Sequence, residues 1–356
     1  MTASGIREAV KKCESLRRST KRPKDISLSE YLKSTKGMSM GAVYKDLKIN
    51  PAHDTIQNLI NMPDNNYRWL IPEIYRDALR LGLRKAPIFP NIITATQTVS
   101  QTSVKMPAIN MSDAAPRKVG VAETITTGSM SFDQKDVSIH KYGRGFKVPY
   151  EVVQYVALNL VSIYLQDFGV KMGMGQDTMM LNTLQNGDQP SGQDSIATVG
   201  VANANDLTIR DLLKIWVRMG RLGKNPSKMI TGEAMAVEVL ELLTNTRLEG
   251  SQRFKVSVKS PIPTTSDIWV HGSVPDNVAI IVDPSNTLVK LDAQPLLVES
   301  DKIISNQVQE IYATFTTGFA TIFRDSRIAL DMSKEFATFG FPAWMDPTAQ
   351  ENVEFE

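Results

Sequence analysis

The chain has 356 residues, of which 42% are hydrophobic and 22% charged, with a net charge of +2. This is ordinary globular composition, with enough apolar surface for a real core in one large or two ordinary domains. The single cysteine, Cys13, excludes an intramolecular disulfide. Stability must therefore come from packing or assembly, as in a reducing cytoplasm. The N-terminus lacks the apolar stretch of a secretory signal. The longest uncharged run with helical spacing, Val152 to Gln166, is fifteen residues and contains Gln154 and Asn159, too short and too polar to span a bilayer. A soluble protein is expected.

Charge is uneven along the chain. Residues 1–50 hold 12 Lys/Arg against 5 Asp/Glu, a net of +7, and the remainder holds 28 against 33, a net of −5. A basic end on a slightly acidic body suggests a polyanionic partner for that end, with a solvated, partly disordered arm as the alternative. Residues 1–60 read as an extended arm, because helical spacing is weak (Ile6, Val10, Leu16) and Pro23, Gly37, Gly41 and Pro51 interrupt it.

A short helix is expected over about 72–84, opened by Pro72 and Glu73 and closed by Arg84 and Lys85. "APIFPNIIT" reads as extended, since each proline pushes its predecessor out of helix. Residues 92–148 alternate like strands around a tip full of turn formers, which predicts a long two-stranded ribbon. A lone ribbon is marginal in water, so another surface must support it.

From Pro149 the period becomes helical: Val153, Val156, Leu160, Tyr164 and Phe168, resuming at Met179, Met180 and Leu184. Gly169, Gly173 and Gly175 leave its continuity open. Met172, Met174, Met179 and Met180 read as packed core rather than an adaptable binding surface. A loop over 188–206 leads to an α/β block: helix "LTIRDLLKIWVRMGRLG", strand "PSKMITG", helix "EAMAVEVLELLTN", the long polar loop "RLEGSQRFKVSVKSPIPTTSD", then two strands in "IWVHGSVPDNVAIIVDPSNTLVKL". "IYATFTTGFATIFRDSRIALD" completes the pattern as strand, turn, strand.

No catalytic constellation emerges. His53, His140 and His271 are scattered, and none lies within four residues of another histidine or of Cys13, so no metal cluster forms. No P-loop, dinucleotide fingerprint or His-Glu-x-x-His is present. "GRG" at 143–145 looks like a phosphate turn only in part, because the preceding strand is polar on alternate positions. It reads instead as a corner, with Gly143 and Gly145 bending the ribbon and Pro149 opening the helix. No cofactor or metal is expected. Arms and ribbons that are unstable alone imply identical neighbours in a closed assembly.

The order of elements resembles the major capsid protein of tailed bacteriophages, with the Hong Kong 97-type capsid fold, over roughly residues 65–335. "KMPAI", "VGVAETI" and "MSFDQKDVSIHKYGRGFKVPYEVV" match the family's extended loop in order. "DLLKIWVRMGRLGKNPSKMITGEAMAVEVLELL" matches its axial domain, and "VAIIVDPSNTLVKL" with "IYATFTTGFATIFRDSRIALD" its return strands. Two departures stand out: Thr124 follows Glu123 where the family often has glycine, and Pro149 with Glu151 replaces Ser-Glu at the helix start.

The resemblance implies an α+β fold. Its parts are an N-terminal arm (1–91), an extended loop (92–148), a spine helix of the peripheral domain (149–195), an axial domain (196–298), return strands (299–335) and a C-terminal tail (336–356). It implies a non-enzymatic shell protein that forms hexamers and pentamers of itself, in an icosahedral virion assembled in the host cytoplasm. Further partners implied are packaged double-stranded DNA, a portal protein, and a separate scaffold or decoration protein, with no membrane. The basic arm, with Arg17, Arg18, Lys21, Arg22 and Lys24, faces DNA or clasps a neighbour. Lys118 and Glu123 on the loop, Lys141, Arg144 and Lys147 at its base, and Phe339, Phe341 and Trp344 in a tail exposing its aromatics are the expected contacts between subunits. Lys105 and Lys118 are available lysines, but no isopeptide cross-link is predicted. An encapsulin shell and a two-domain α/β enzyme or small-molecule-binding protein are the alternatives.

Overall fold

The computed structural model describes residues 3–18, 26–61, 67–85, 88–101, 103–112, 129–188, 195–242 and 267–345. Its first segment is not an extended arm. Four helices, α1 (Ala3–Arg17), α2 (Leu28–Lys36), α3 (Met40–Asp46) and α4 (Ile56–Asn61), pack around a fifth, α5 (Ile71–Lys85). In α1 the buried residues are Ile6, Ala9, Val10 and Cys13, an i, i+3, i+4, i+7 stripe. Helix α2 carries a capping box between Ser27 and Glu30 and ends on Gly37 at φ 64, whose N–H bonds the carbonyls of Leu32 and Lys33.

Charge fastens this helical cluster as well as apolar contact. Arg17, at the end of α1, meets Glu73, in the first turn of α5, through paired bonds of 2.5 and 2.6 Å, and its Nε donates to the Ile26 carbonyl at 2.8 Å. Both side chains are buried, 4% and 3% exposed. One turn on, the Asp77 carboxylate accepts from the Ser29 hydroxyl at 3.1 Å. Burial pushes the Asp77 carboxyl up to about 6, against the lowering bonds from Ser27 and Ser29.

The spine begins with a short helix, α6 (Tyr150–Tyr155), and continues as α7 (Leu158–Asn186). The break has a local cause. Val156 and Ala157 are extended, Ala157 bridges to Thr55, and the first N–H groups of α7, at Leu158 and Asn159, donate to the carbonyls of Asp54 and Pro51. The chain before α4 thus caps α7. Its 29 residues run unbroken through Gly169, Gly173 and Gly175, a rod of about 44 Å at about 1.5 Å per residue. Gly169 and Gly173 lie at a helix crossing rather than at an interruption. A Cβ on Gly82 of α5 would lie 2.0 Å from the Gln166 carbonyl oxygen, and one on Gly169 would lie 2.3 Å from that of Leu79.

The strands form three sheets. β1 (Ile93–Thr98), β9 (Leu288–Ile303), β10 (Val308–Thr321) and β4 (His140–Pro149) lie in that order in the first. β2 (Ser103–Ser112) and β3 (Ser129–Ser138) pair only with each other among the described residues. The expected 92–148 ribbon is therefore shorter. Its two feet, β1 and β4, splay apart and become the outer strands flanking the β9–β10 hairpin. A small core of Val137, Ile139, Leu291 and Ala320 seals the ribbon base.

The third sheet runs β5 (Ala197–Val201), β11 (Arg327–Glu335), β8 (Val278–Val282), β6 (Lys228–Thr231), β7 (Asp267–Val270). Helix α8 (Ile209–Arg221) and a helix over 233–242 pack on it. This corrects the expected boundary at 298. β9 leaves the third sheet's block from Leu288, and β11 returns to it between β5 and β8 instead of joining the peripheral strands. The C-terminal half of α7, through Met180, Leu181 and Leu184, shares a core with Ile280, Val282 and Leu288 and so couples the two sheets.

Three outcomes follow for stability. Gly169→Ala forces a Cβ into backbone and lowers stability by about 1–3 kcal/mol. Gly175→Ala has open space around its Cβ and raises it by up to about 1 kcal/mol; thermal unfolding of both separates crossing from propensity. Arg17→Met strands the buried Glu73 carboxylate and lowers stability by about 3–5 kcal/mol, whereas Arg17→Met with Glu73→Leu recovers most of that loss in denaturant titrations. The folded chain holds the Asp77 proton more tightly than the unfolded chain does. Its contribution is therefore full below the ordinary 3.8 and declines as pH rises through about 6. Asp77→Asn flattens the unfolding midpoint across that window; an unchanged pH profile would refute the assignment.

Candidate functional site: the assembly surfaces

Strand β4 is a regular edge strand, not a corner. Its glycines serve the neighbouring strand. A Cβ on Gly145 would meet the Tyr312 ring at 2.5 Å, and one on Gly143 would meet Thr314 Cγ2 at 2.7 Å. Side chains of β10 thus lie across β4 where it has none. Beside them Lys147 is paired with Glu310 at 3.0 Å, and the Tyr312 hydroxyl donates to the same carboxylate at 2.5 Å. Those two bonds, Tyr312 first, hold the Glu310 carboxyl below the ordinary range. Lys141 and Arg144 are exposed, with no hydrogen bond or ion pair among the described residues. β4 therefore brings the three expected basic residues together. Lys118 and Glu123 lie outside the described residues.

The N-terminal half of the spine carries a second surface, which includes Leu160 and Tyr164 of the helical stripe. Tyr155, Leu160, Ile163 and Tyr164 are 78%, 45%, 58% and 68% exposed. Val153, Leu158, Val161 and Leu165 fill the buried face instead. The apolar run therefore covers both faces of the helix, and the excess marks a patch larger than a monomer needs.

The basic arm is divided. Arg17 is corrected from a DNA-facing residue to an internal one, since Glu73 and the Ile26 carbonyl consume its donors. Arg18 is exposed, as are Arg7, Lys11 and Lys12 on the outer face of α1. Lys21, Arg22 and Lys24 lie outside the described residues.

The tail is corrected too. Its aromatics do reach a core of their own chain. Phe336, Phe341 and Trp344 pack against the cluster beneath α8, and Met345 is fully buried there. Cations lie over the rings: Lys214 over Phe336, Arg218 over Phe341, Arg324 over Trp344 and Lys334 over Phe339. Phe339 alone of the four stays open, 41% exposed.

A groove of about 630 Å³ lies between α5 and β9. Its charged lining is already paired, Arg80 and Arg84 with Glu30 and Lys290 with Asp292, and no histidine, cysteine or serine lines it. Among the described residues no helix is long and apolar enough to cross a membrane.

A sequence model of the phage capsid protein family matches residues 133–329, more than half of the chain. No curated protein matches by sequence. Among solved structures, the virus-like particle from Pyrococcus furiosus aligns with a TM-score of 0.51 at 13% identity, over 72% of this chain and 97% of its own. The capsid of an empty GTA particle aligns at 0.48 and 12% identity over 69% and 89%, and Microbacterium phage Oxtober96 at 0.48 and 11% over 69% and 91%. The similarity is one of fold, a mixed helix and sheet architecture of the Hong Kong 97 capsid type. The chain belongs to the phage capsid protein family, whose members build the shell of the virion.

Proposed function

We propose that the chain is the major capsid protein of a tailed phage, assembling as hexamers and pentamers into an icosahedral head around double-stranded DNA. The observation that carries this is the ribbon. β2 and β3 pair with each other from Ser103↔Ser138 to Ser112↔Ser129, and with no other strand among the described residues. A lone strand pair with no sheet partner among the described residues is marginal in water and suits a neighbour's surface. The exposed spine patch at Tyr155, Leu160, Ile163 and Tyr164 supplies such a surface. Each copy thus gives a ribbon and receives one, a heterologous contact that closes into rings.

The DNA role rests on α1. Arg7, Lys11, Lys12 and Arg18 are exposed there, and the Lys21, Arg22 and Lys24 run follows in sequence. Such charge neutralises phosphate without reading bases. A portal protein and a separate scaffold or decoration protein are the further partners of this reading. An encapsulin-type compartment shell is the second reading, and the virus-like particle from Pyrococcus furiosus shares the fold.

The chain expressed alone forms hollow particles, tubes or five- and six-membered rings in negative-stain microscopy. Ile163→Asp with Tyr164→Asp leaves the thermal transition in place and abolishes those particles. A wild-type chain that stays monomeric or dimeric across concentration and salt, with or without added scaffold, overturns the shell reading. Particles that exclude nucleic acid, from wild type and arm-neutralised variants alike, favour the second reading.

A further inference from the structure

The groove between α5 and β9 is lined by amides and hydroxyls, Gln176, Asn91, Gln294, Thr96 and Thr98, beside the apolar Leu83, Phe89, Leu296 and Phe315. Gln176 is 6% exposed, and its side chain makes no hydrogen bond among the described residues. A buried amide without a partner is costly. An amide both donates and accepts, so it fits a main chain, which offers both groups. The walls carry Arg80, Arg84 and Lys290, with Asp292 beside the lysine and Glu30 behind the two arginines. A basic occupant would meet three like charges there.

In a shell of identical copies, the segments that meet such a groove come from the same chain. Of the longer stretches outside the described residues, 19–25 and 243–266 are basic, and 62–66, 113–128 and 189–194 hold no aromatic residue. Residues 346–356, "DPTAQENVEFE", hold Asp346, Glu351, Glu354 and Glu356 and no lysine or arginine. From Asn352 onward they alternate, with Val353 and Phe355 apolar and Asn352, Glu354 and Glu356 polar. Period two is the pattern of an extended segment that buries one face. Eleven residues reach about 36 Å at about 3.3 Å each. Within one chain a sheet stands in the way. Met345 sits in the α8 core with Ala279 and Ile281 of β8, whereas Phe89 at the groove belongs to the core that holds Ile280 and Val282. Successive residues of a strand point to opposite faces, so the five-stranded sheet lies between the two cores. The segment of a second copy meets no such obstacle.

We propose that residues 346–356 of a second copy lie extended in this groove. Val353 and Phe355 point toward Leu83, Phe89, Leu296 and Phe315, the main chain meets Gln176, and the carboxylates stay at the rim beside Arg84, whose side chain is 59% exposed. The inference rests on the shell reading and adds to it a contact separate from the ribbon and the spine patch. The contact is heterologous, since each copy offers one groove and one segment, and it therefore propagates around a ring.

Photocrosslinking in assembled particles tests this with the full chain. Phe355 is replaced by p-benzoylphenylalanine, and particles are grown from a mixture of isotope-labelled and unlabelled chains. Cross-links join labelled to unlabelled chains, and mass spectrometry maps them to residues 83–98 and 290–296. Thr96→Glu with Thr98→Glu, at exposed positions of β1, keeps the wild-type thermal transition and lowers that cross-link at least tenfold. Adding Glu351→Lys with Glu354→Lys restores it. Particles whose cross-links stay within one chain, map to other surfaces or do not form overturn the inference and leave the shell reading intact. So does a groove variant that cross-links like wild type, or a fourfold variant that stays uncross-linked while folded. A wild-type chain that never assembles removes the shell reading, and this inference with it.

Discussion

The close crossing of α5 and α7 at Gly82 and Gly169 organises the rest of the molecule. The two backbones approach until a carbonyl oxygen occupies the place of a missing Cβ. At that distance α5 is fixed along the spine, and everything that packs on α5 is fixed with it: helices α1 to α4, the buried Arg17–Glu73 pair, and the inner face of the β9–β10 hairpin. The far half of α7 then runs into the second core and sets where the five-stranded sheet sits. A single crossing so placed transmits position from the N-terminal helices to the five-stranded sheet. It does so by exclusion of volume, which tolerates little adjustment in a packed interior.

The same arrangement leaves particular groups without partners inside one chain. The ribbon stands on two feet that are themselves edge strands, and a satellite core holds only its base. The spine keeps five large apolar side chains in water, Tyr155, Leu160, Ile163, Tyr164 and Met174. These features are unfavourable in a monomer, and they are the surfaces on which the proposed contact between copies draws. The N-terminal helices and the tail, by contrast, satisfy themselves within the chain. The boundary between internal and shared surface therefore runs through both termini, and local charge or aromatic content does not mark it.

That boundary explains what was legible in the sequence. Helices α5, α7 and α8 and strands β6 and β10 follow from periodicity and end signals, since each is long or cleanly bounded. The N-terminal helices were obscured because Ala9 and Cys13, small residues, complete the stripe begun by Ile6 and Val10 amid dense charge. Ser27 with Glu30 and Gly37 did carry a capping signal for α2. Gly143 and Gly145 misled because glycine in a strand marks either a bend or a close side chain, and only the facing Tyr312 decides. Arg17 could not be told from Arg18 by type. Its partner Glu73 is 56 positions away, and one residue's turn on a helix separates a core ion pair from a solvent-facing charge. The place of β11 between β5 and β8 is not legible, because strand pairing is a long-range choice that alternation does not encode.

An edge strand with free backbone groups is an aggregation site before assembly. In the first sheet β10 is covered on both sides, so the edges are β4 and the outer side of β9 beyond Asp292. Lys141, Arg144 and Lys147 lie on β4, and Pro295 lies on β9 just past the point where β1 ceases to cover it. Edge charge and edge proline both oppose indiscriminate pairing. Contacts between exposed charges are also weak, on the order of 1 kcal/mol per pair. Weak contacts can dissociate when misplaced, so that a closed shell gains its stability from the number of copies rather than from any one joint.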